Sequence, residues 1–308
     1  MGCSCREEDL KGELEDLLVG AIEKFRAQPP ILYPRCGSIA VLGDTHGYDH
    51  VTRWFVGEFG GRVDCLFILG DLVDRGPRSL ENLVAALKFF LERDDLYIIR
   101  GNHESVLMNR WYGFLDELAL KLGGEEYRDI LSLVSTLYTE MPYAAVAQDI
   151  FLVHGGIPCR RCLNKPEPPF TLEELGQRLR GVKGRKEAAV PSDSVAMQLL
   201  WNDPDPGLEW FSPNIRGPGT FYYGIEAWRS FLRENDLGLI IRAHEKVNGA
   251  LIYTGSGGQI NPLRYKTPLR VERLRGSVVT VFSSLYHGME GAAVVVDKGF
   301  LHAYEVPR

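Results

Sequence analysis

Asp44 and His46 stand two residues apart after the apolar run Ile39 to Leu42, so in extended backbone their side chains share one side. Such a pair can hold one hard or borderline cation. Asp71 follows a second run, Cys65 to Leu69, and its two carboxylate oxygens could bridge that cation to another. Asn102 after Leu96 to Ile99, His154 after Phe151 to Val153, and His244 after Leu237 to Ile241 could supply the second ion's remaining ligands. None of these six residues is a thiolate, and mixed oxygen and imidazole ligation suits manganese, iron or zinc better than copper(I) or calcium. Two such ions about 3.5–4 Å apart would acidify a shared water and clamp an in-line displacement at phosphorus. His103 adjoins Asn102 and must point elsewhere, which makes it a candidate general acid with Asp74 to orient it. Arg75 and Arg216 can fork onto phosphate oxygens.

Each carboxylate or amide also has a plainer reading. Asp44, Asp71 and Asn102 each precede an expected helix, where Asp or Asn makes a good N-cap without any metal. Capping does not account for imidazoles, however, and His46, His103, His154 and His244 are four of the chain's seven histidines. Their joint occurrence at strand ends favours a metal site.

The runs that carry these clusters are short and β-branched or Leu-rich, as buried strands are. All five clusters are expected at one edge of one sheet, where open α/β sheets bind ligands. Helices are expected over 7–26, 48–59, 79–92, 123–138, 171–180 and 225–234, with late strands over 278–282 and 292–296. The fold class is therefore α/β in a single domain, with an N-terminal helical extension over 1–36 and the catalytic domain over 37–308. Residues 157–190, enriched in Pro, Gly and basic side chains, read as a long surface excursion.

Composition sets outer limits. The formal charge of −6 argues against bulk attraction to nucleic acid, although arginine outnumbers lysine among the 35 basic residues, which suits phosphate. No apolar run is long enough to span a bilayer, and no basic-then-apolar leader opens the chain, so a cytoplasmic location with no membrane partner is expected. Cys65 reads as a small core residue. Cys3, Cys5, Cys159 and Cys162 could together bind a structural zinc, but reduced, free thiols are the default expectation.

Gly43-Asp44-Thr45-His46-Gly47, Gly70 to Gly76 (G-D-L-V-D-R-G) and Gly101-Asn102-His103-Glu104 follow the order and spacing of the signatures of the phosphoprotein phosphatase family. The later segments His154-Gly155-Gly156, Leu200-Trp201-Asn202-Asp203-Pro204, Asn214-Ile215-Arg216-Gly217 and Arg242-Ala243-His244 resemble that family's remaining motifs. The resemblance covers residues from about 38 to 290. It implies a metallophosphatase-type central β-sandwich flanked by helices, and a binuclear metal centre, with Mn²⁺ foremost and Fe or Zn as alternatives. It also implies direct attack of a bridging hydroxide on phosphoserine or phosphothreonine esters of protein or peptide substrates. On that basis Asp44, His46 and Asp71 would hold one ion, and Asp71, Asn102, His154 and His244 the other. Arg75, Arg216 and the Asn102 amide would grip phosphate, Tyr286 would keep the phosphate-facing aromatic, and His103 with Asp74 would protonate the departing hydroxyl. Near the carboxyl end, Ser283-Ser284-Leu285-Tyr286-His287 departs from the usual S-A-P-N-Y.

Two other functions would fit part of this pattern. A bis(5'-nucleosyl)-tetraphosphatase-like hydrolase would use the same metal core, but Glu104 after Asn102-His103 and the Trp201 segment favour the protein phosphatase. A non-catalytic phosphate-binding adapter would need no proton donor, whereas every expected position is filled. Regulatory subunits are left open.

Overall fold

A computed structural model describes residues 4–124, 126–162, 167–186, 193–265 and 267–308, with only the backbone of residues 4–10 and 287. The chain begins with α1 (Ser4–Arg26), β1 (Ile31–Leu32), β2 (Ile39–Leu42), α2 (Asp49–Phe59), β3 (Cys65–Ile68), α3 (Ser79–Glu92) and β4 (Leu96–Ile98). Three helices follow, α4 (Val106–Tyr112), α5 (Phe114–Leu122) and α6 (Glu126–Glu140), then β5 (Ala144–Ala147), β6 (Ile150–Val153), α7 (Leu172–Arg180) and α8 (Ser194–Trp201). The remainder comprises β7 (Asp203–Pro204), β8 (Phe211–Pro213), β9 (Phe221–Tyr223), α9 (Ile225–Glu234), β10 (Leu239–Arg242), β11 (Ala250–Tyr253) and β12 (Gln259–Ile260). It closes with β13 (Leu269–Arg270), β14 (Ser277–Val281), β15 (Ala292–Asp297) and β16 (Phe300–Glu305).

Two large sheets result, in the orders β1-β5-β6-β10-β14-β11-β12 and β13-β16-β15-β2-β3-β4. The strands that lead to the polar clusters are parallel within each sheet, β2 to β3 to β4 and β6 to β10 to β14. Their side chains are buried on both faces, as parallel strands require, and the period of two sorts them. Ile39, Val41 and Phe67 of one sheet meet Ile150, Leu152, Ile241 and Val279 of the other in a central core. Ala40, Leu42, Leu66 and Ile68 face away, into a core shared with α1, α2, α3 and α6. Phe151, Val153, Ile240 and Val278 face outward into a third core with α7, α8 and α9. The architecture is thus helices, sheet, sheet, helices, the sandwich that the sequence resemblance implied.

The expectation of one sheet is corrected. Asp44, Asp71 and Asn102 follow strands of the six-stranded sheet, whereas His154 and His244 follow strands of the seven-stranded one. The site lies on a seam between sheets. An isolated parallel bridge pairs Asp44 with Phe282, just beyond β14 of the opposite sheet, and Ser283 Oγ accepts the Gly43 amide at 2.8 Å. A Cβ on Gly43 would lie 2.0 Å from the Val281 carbonyl oxygen, so the seam closes only over glycine.

α1 packs Leu14, Leu17, Leu18, Ala21, Ile22 and Phe25 into the first core, with the Phe25 ring stacked on Phe90 at 4.3 Å. The 157–190 excursion contains α7, whose Thr171 forms a reciprocal capping box with Glu174. The capping reading of the cluster residues is not what is found: Tyr48, Arg78 and Ser105 occupy the N-cap positions of α2, α3 and α4.

The cysteine expectations are also corrected. Cys65 is not a lone core thiol but pairs with Cys36, and Cys159 pairs with Cys162, which leaves neither of the latter for a zinc site. Cys3 lies outside the described residues, as does the Cys5 side chain. Paired cysteines are the exception in a reducing cytoplasm. The Cys36–Cys65 bond closes a loop of 29 residues and, in the chain-entropy account, stabilises by roughly 3–4 kcal/mol. Cys36→Ser should lower the thermal midpoint accordingly, and alkylation of the denatured, unreduced protein should leave Cys36, Cys65, Cys159 and Cys162 unmodified in a mass spectrum; unchanged melting with full alkylation would contradict the pairing.

Candidate metal centre and phosphate site

Asp71 sits at the centre of the seam in left-handed backbone, with φ 54°, a conformation that a non-glycine residue adopts only when its surroundings impose it. Glu104 imposes it. Its buried carboxylate accepts the amides of Asp71 at 2.8 Å and Gly101 at 2.7 Å on one oxygen, and that of Leu72 at 2.8 Å on the other. The preceding Gly70 has φ 91°, and a Cβ there would lie 2.2 Å from the Gly101 nitrogen. His46, Asp74, Arg75 and His244 also have positive φ, so five of the site's residues share this strained conformation.

The resulting cluster is rich in acceptors. His46 Nδ1 is 3.0 Å from the Val73 carbonyl, which must receive its proton and leaves Nε2 bare. That nitrogen faces Asp71 Oδ2 at 3.7 Å and Asp44 Oδ2 at 3.8 Å, beyond hydrogen-bond range. His154 Nδ1 likewise donates to the Leu69 carbonyl at 2.8 Å. Its bare Nε2 meets Asn102 Oδ1 at 2.8 Å and Asp71 Oδ1 at 3.4 Å. Acceptor therefore faces acceptor in a dry interior. His244 Nδ1 is also 2.8 Å from Asn102 Oδ1, and its buried Nε2 has no hydrogen-bond partner.

The imidazoles do not take up the protons that would relieve this crowding, and the carboxylates resist ionising beside them. Burial pushes His46, His154 and His244 well below the usual imidazole range. Burial also pushes Asp44 up to about 7, against the opposing His244 amide, and pushes Asp71 up well above the usual carboxylate range, with Asp44 and Glu104 adding repulsion. Uncompensated buried charge of this kind is costly unless a cation offsets it. The donor set and its geometry fit divalent metal ions. Ligand atoms of Asp71, His154 and His244 lie within 4.8 Å of one another, as do those of His46, Asp71 and His103, so Asp71 is common to both groups. His103 is committed elsewhere, with Nδ1 2.7 Å from Asp74 Oδ2 and Nε2 accepting from Arg75 Nε at 3.4 Å.

Asp74 is itself held by the Asn109 side chain at 2.9 Å and the Phe114 amide at 3.1 Å, and burial pushes it up to about 6. Burial first, then the Arg75 and Arg216 charges, push His103 well below the usual range. Arg75 stacks over the Tyr112 ring at 4.4 Å and lies 6.0 Å from the Tyr286 ring. Arg216 forks onto Asp203, and the buried Arg242 donates once to the same carboxylate at 2.9 Å and also to the Gly155 and Asn202 carbonyls. Asp44, His46, Asp71, Asn102, His103, Arg75, Arg216, His244 and Tyr286 all line one open cavity of about 360 Å³, while His154 lies fully buried behind it. All the residues singled out from sequence are thereby brought together. Leu285 packs beside the first core, and the His287 side chain lies outside the described residues.

Sequence reasoning missed the supports. Glu104, Asn109, Asp203 and Arg242 orient the residues above, and Asn82 ties Thr45 Oγ1 at 2.7 Å to the Leu72 carbonyl at 2.6 Å. Glu104 and Asp203 stood inside quoted motifs, but nothing in their spacing names their partners.

With fold and site in place, comparison with known proteins defines the class. The calcineurin-like phosphoesterase profile matches residues 37–248, and the chain belongs to that family. It is similar to serine/threonine-protein phosphatase BSL2 of Arabidopsis thaliana, 33% identical over 248 residues, which are 76% of this chain and 23% of that protein. The chain thus spans about a quarter of that curated relative's length. A Saccharomyces cerevisiae serine/threonine phosphatase, described as similar to human PP5, superposes with TM-score 0.76 at 24% identity, covering 97% of this chain and 90% of its own. A cold-active protein-tyrosine phosphatase of a psychrophilic Shewanella shares the fold at TM-score 0.58 and 15% identity, covering 92% and 84%.

Glu104→Gln should test the latch beneath Asp71. An amide keeps one acceptor oxygen and turns an NH2 toward at least one backbone N–H, so a loss of about 1–3 kcal/mol of stability is expected. Divalent ion affinity should fall with it, measured by thermal melting and by metal titration of stripped protein. Wild-type values for both would contradict the assignment.

Proposed function

We propose that this chain is a metal-dependent serine/threonine protein phosphatase, hydrolysing phosphoserine and phosphothreonine monoesters. The observation that carries the reading is Asp71, common to two acceptor groups on the floor of a cavity that Arg75, Arg216 and His103, backed by the buried Asp74, also line. The similarity to a curated serine/threonine-protein phosphatase supports it.

Asp44, His46 and Asp71 would hold one divalent ion, and Asp71, Asn102, His154 and His244 a second; Mn²⁺ suits the oxygen and imidazole donors, as Fe and Zn also do. Bound there, such ions supply Lewis acidity that activates water and offsets charge on the phosphoryl oxygens. Arg75 and Arg216 orient the phosphate through its non-bridging oxygens, and the Asn102 amide adds a neutral donor. Asp203 keeps Arg216 pointed into the cavity. Tyr286 walls the phosphate beside Arg75.

His103 supplies the leaving group's proton. As it stands, its Nε2 accepts from Arg75, so that nitrogen carries no proton to give. A dianionic phosphate draws Arg75 onto itself and offsets the guanidinium charges that add to burial in depressing the imidazole. His103 Nε2 then takes up a proton, and Asp74, across the 2.7 Å contact to Nδ1, stabilises the imidazolium. Substrate binding and arming of the acid are one electrostatic event.

Metal-stripped protein should release no phosphate from a phosphothreonine peptide until Mn²⁺ is added. Release that persists in chelator would contradict the reading. Diadenosine tetraphosphate and a phosphotyrosine peptide serve as parallel substrates, and turnover of either alone would reassign the activity. His103→Asn should cost about 10²–10⁴ in turnover of a phosphoserine peptide and much less for an aryl phosphate, whose leaving group scarcely needs a proton. Equal losses on both substrates would remove His103 from the acid role.

A further inference from the structure

Lys246 lines the same cavity as the phosphate-facing arginines. It differs from them in one respect. Arg216 is forked onto Asp203, and Arg75 is stacked on Tyr112 and bonded to His103. Lys246 is exposed and makes no hydrogen bond or ion pair with any other described residue. Its backbone is nonetheless well anchored. His244, two residues earlier, is pinned by its amide to Asp44 Oδ1 at 2.8 Å. Glu245 is held by Arg242 at 2.8 Å, and its amide closes a tight turn onto the Ala243 carbonyl at 2.8 Å. The neighbouring carboxylate that could have neutralised the lysine is therefore already spent inside the core. What remains is an exposed cation on anchored backbone at the wall of the cavity.

Resting on the phosphatase reading, we propose that Lys246 is a specificity-determining residue that selects phosphopeptides with a second anionic group close to the phosphorylated residue. That group is an aspartate or glutamate, or a second phosphoresidue. Three observations favour it. The phosphate itself has two arginines with forked, planar geometry, which an ammonium does not match, so Lys246 suits a separate anion. An extended peptide places successive side chains about 3.3 Å apart along its axis, within the span of a lysine stem from a neighbouring site. The chain as a whole carries −6, so a peptide with added negative charge gains nothing from the bulk field and depends on a local cation to be preferred.

The test compares kcat/KM of the Mn²⁺-loaded protein for three phosphothreonine peptides that differ only beside the phosphorylated residue: alanine, aspartate or phosphoserine flanks. One exposed ion pair predicts a preference of roughly two- to fivefold for aspartate over alanine flanks. The phosphoserine peptide should exceed that, since its added charge is about −1.5 to −2. Lys246→Ala should bring both ratios close to one, Lys246→Glu should invert them, and Lys246→Arg should restore them. The wild-type ratios should also shrink as salt is raised. Equal kcat/KM for all three peptides, or ratios unchanged in Lys246→Ala, would overturn the inference while leaving the phosphatase reading intact. No release from any peptide would overturn both.

Discussion

Everything at the seam depends on how Asp71 is held. A carboxylate with two oxygens facing two groups of imidazoles has to stand where the two sheets meet, and ordinary strand or helix backbone does not put it there. The structure reaches that position through a left-handed residue after a glycine that nothing larger could replace, and it keeps the position with three amides converging on Glu104. The cost of left-handed backbone at a residue with a Cβ, of order 1–3 kcal/mol, is offset by those charge-assisted hydrogen bonds. Asp71 in turn accepts the His103 amide at 2.8 Å, so the same residue common to both acceptor groups also fixes the backbone of His103, the proposed proton donor.

The site also stores electrostatic tension in two opposed forms. On its floor, burial disfavours both the ionised carboxylates and the protonated imidazoles that face one another. On its wall, burial, reinforced by the charges of Arg75 and Arg216, disfavours the protonated form of the His103 imidazole. Cations relieve the first and an anion relieves the second. A phosphate monoester presented to divalent ions satisfies both at once, which is why the arrangement suits phosphoryl chemistry better than metal storage or anion binding alone. The supports follow the same logic, since Asp203 pairs with Arg216 at the cavity wall and, together with Glu245, with the buried Arg242 behind it.

Much of this was legible in the chain itself. The buried strands β2, β3, β4, β6, β10, β14 and β15 stand within two residues of their expected limits, because short apolar runs flanked by glycine and polar clusters have few alternatives. Identity of side chain at strand ends sufficed to assemble the site residues. Three kinds of feature were not legible. The division of the clusters between two sheets depends on which strands pair, and parallel strands buried on both faces carry no alternation that would tell one sheet from another. Helix α4 has a single buried residue, Asn109, and so lacks the apolar stripe by which a helix is read. The Cys36–Cys65 bond and the partners of Glu104 and Asp203 depend on contacts between distant segments, 29 residues apart for the disulfide, 33 for Glu104 with Asp71 and 39 for Asp203 with Arg242, about which local pattern says nothing.

The central claim is that the acceptor cluster is built around two cations that share Asp71. Its most direct test is to count Mn²⁺ bound by stripped protein in equilibrium dialysis, for the wild type and for Asp71→Ala, with melting followed in parallel. The account predicts two ions per chain with a rise in thermal midpoint for the wild type, and loss of tight binding at both positions in the variant. A wild type that binds one ion or none, or a variant that keeps a full complement, would contradict it.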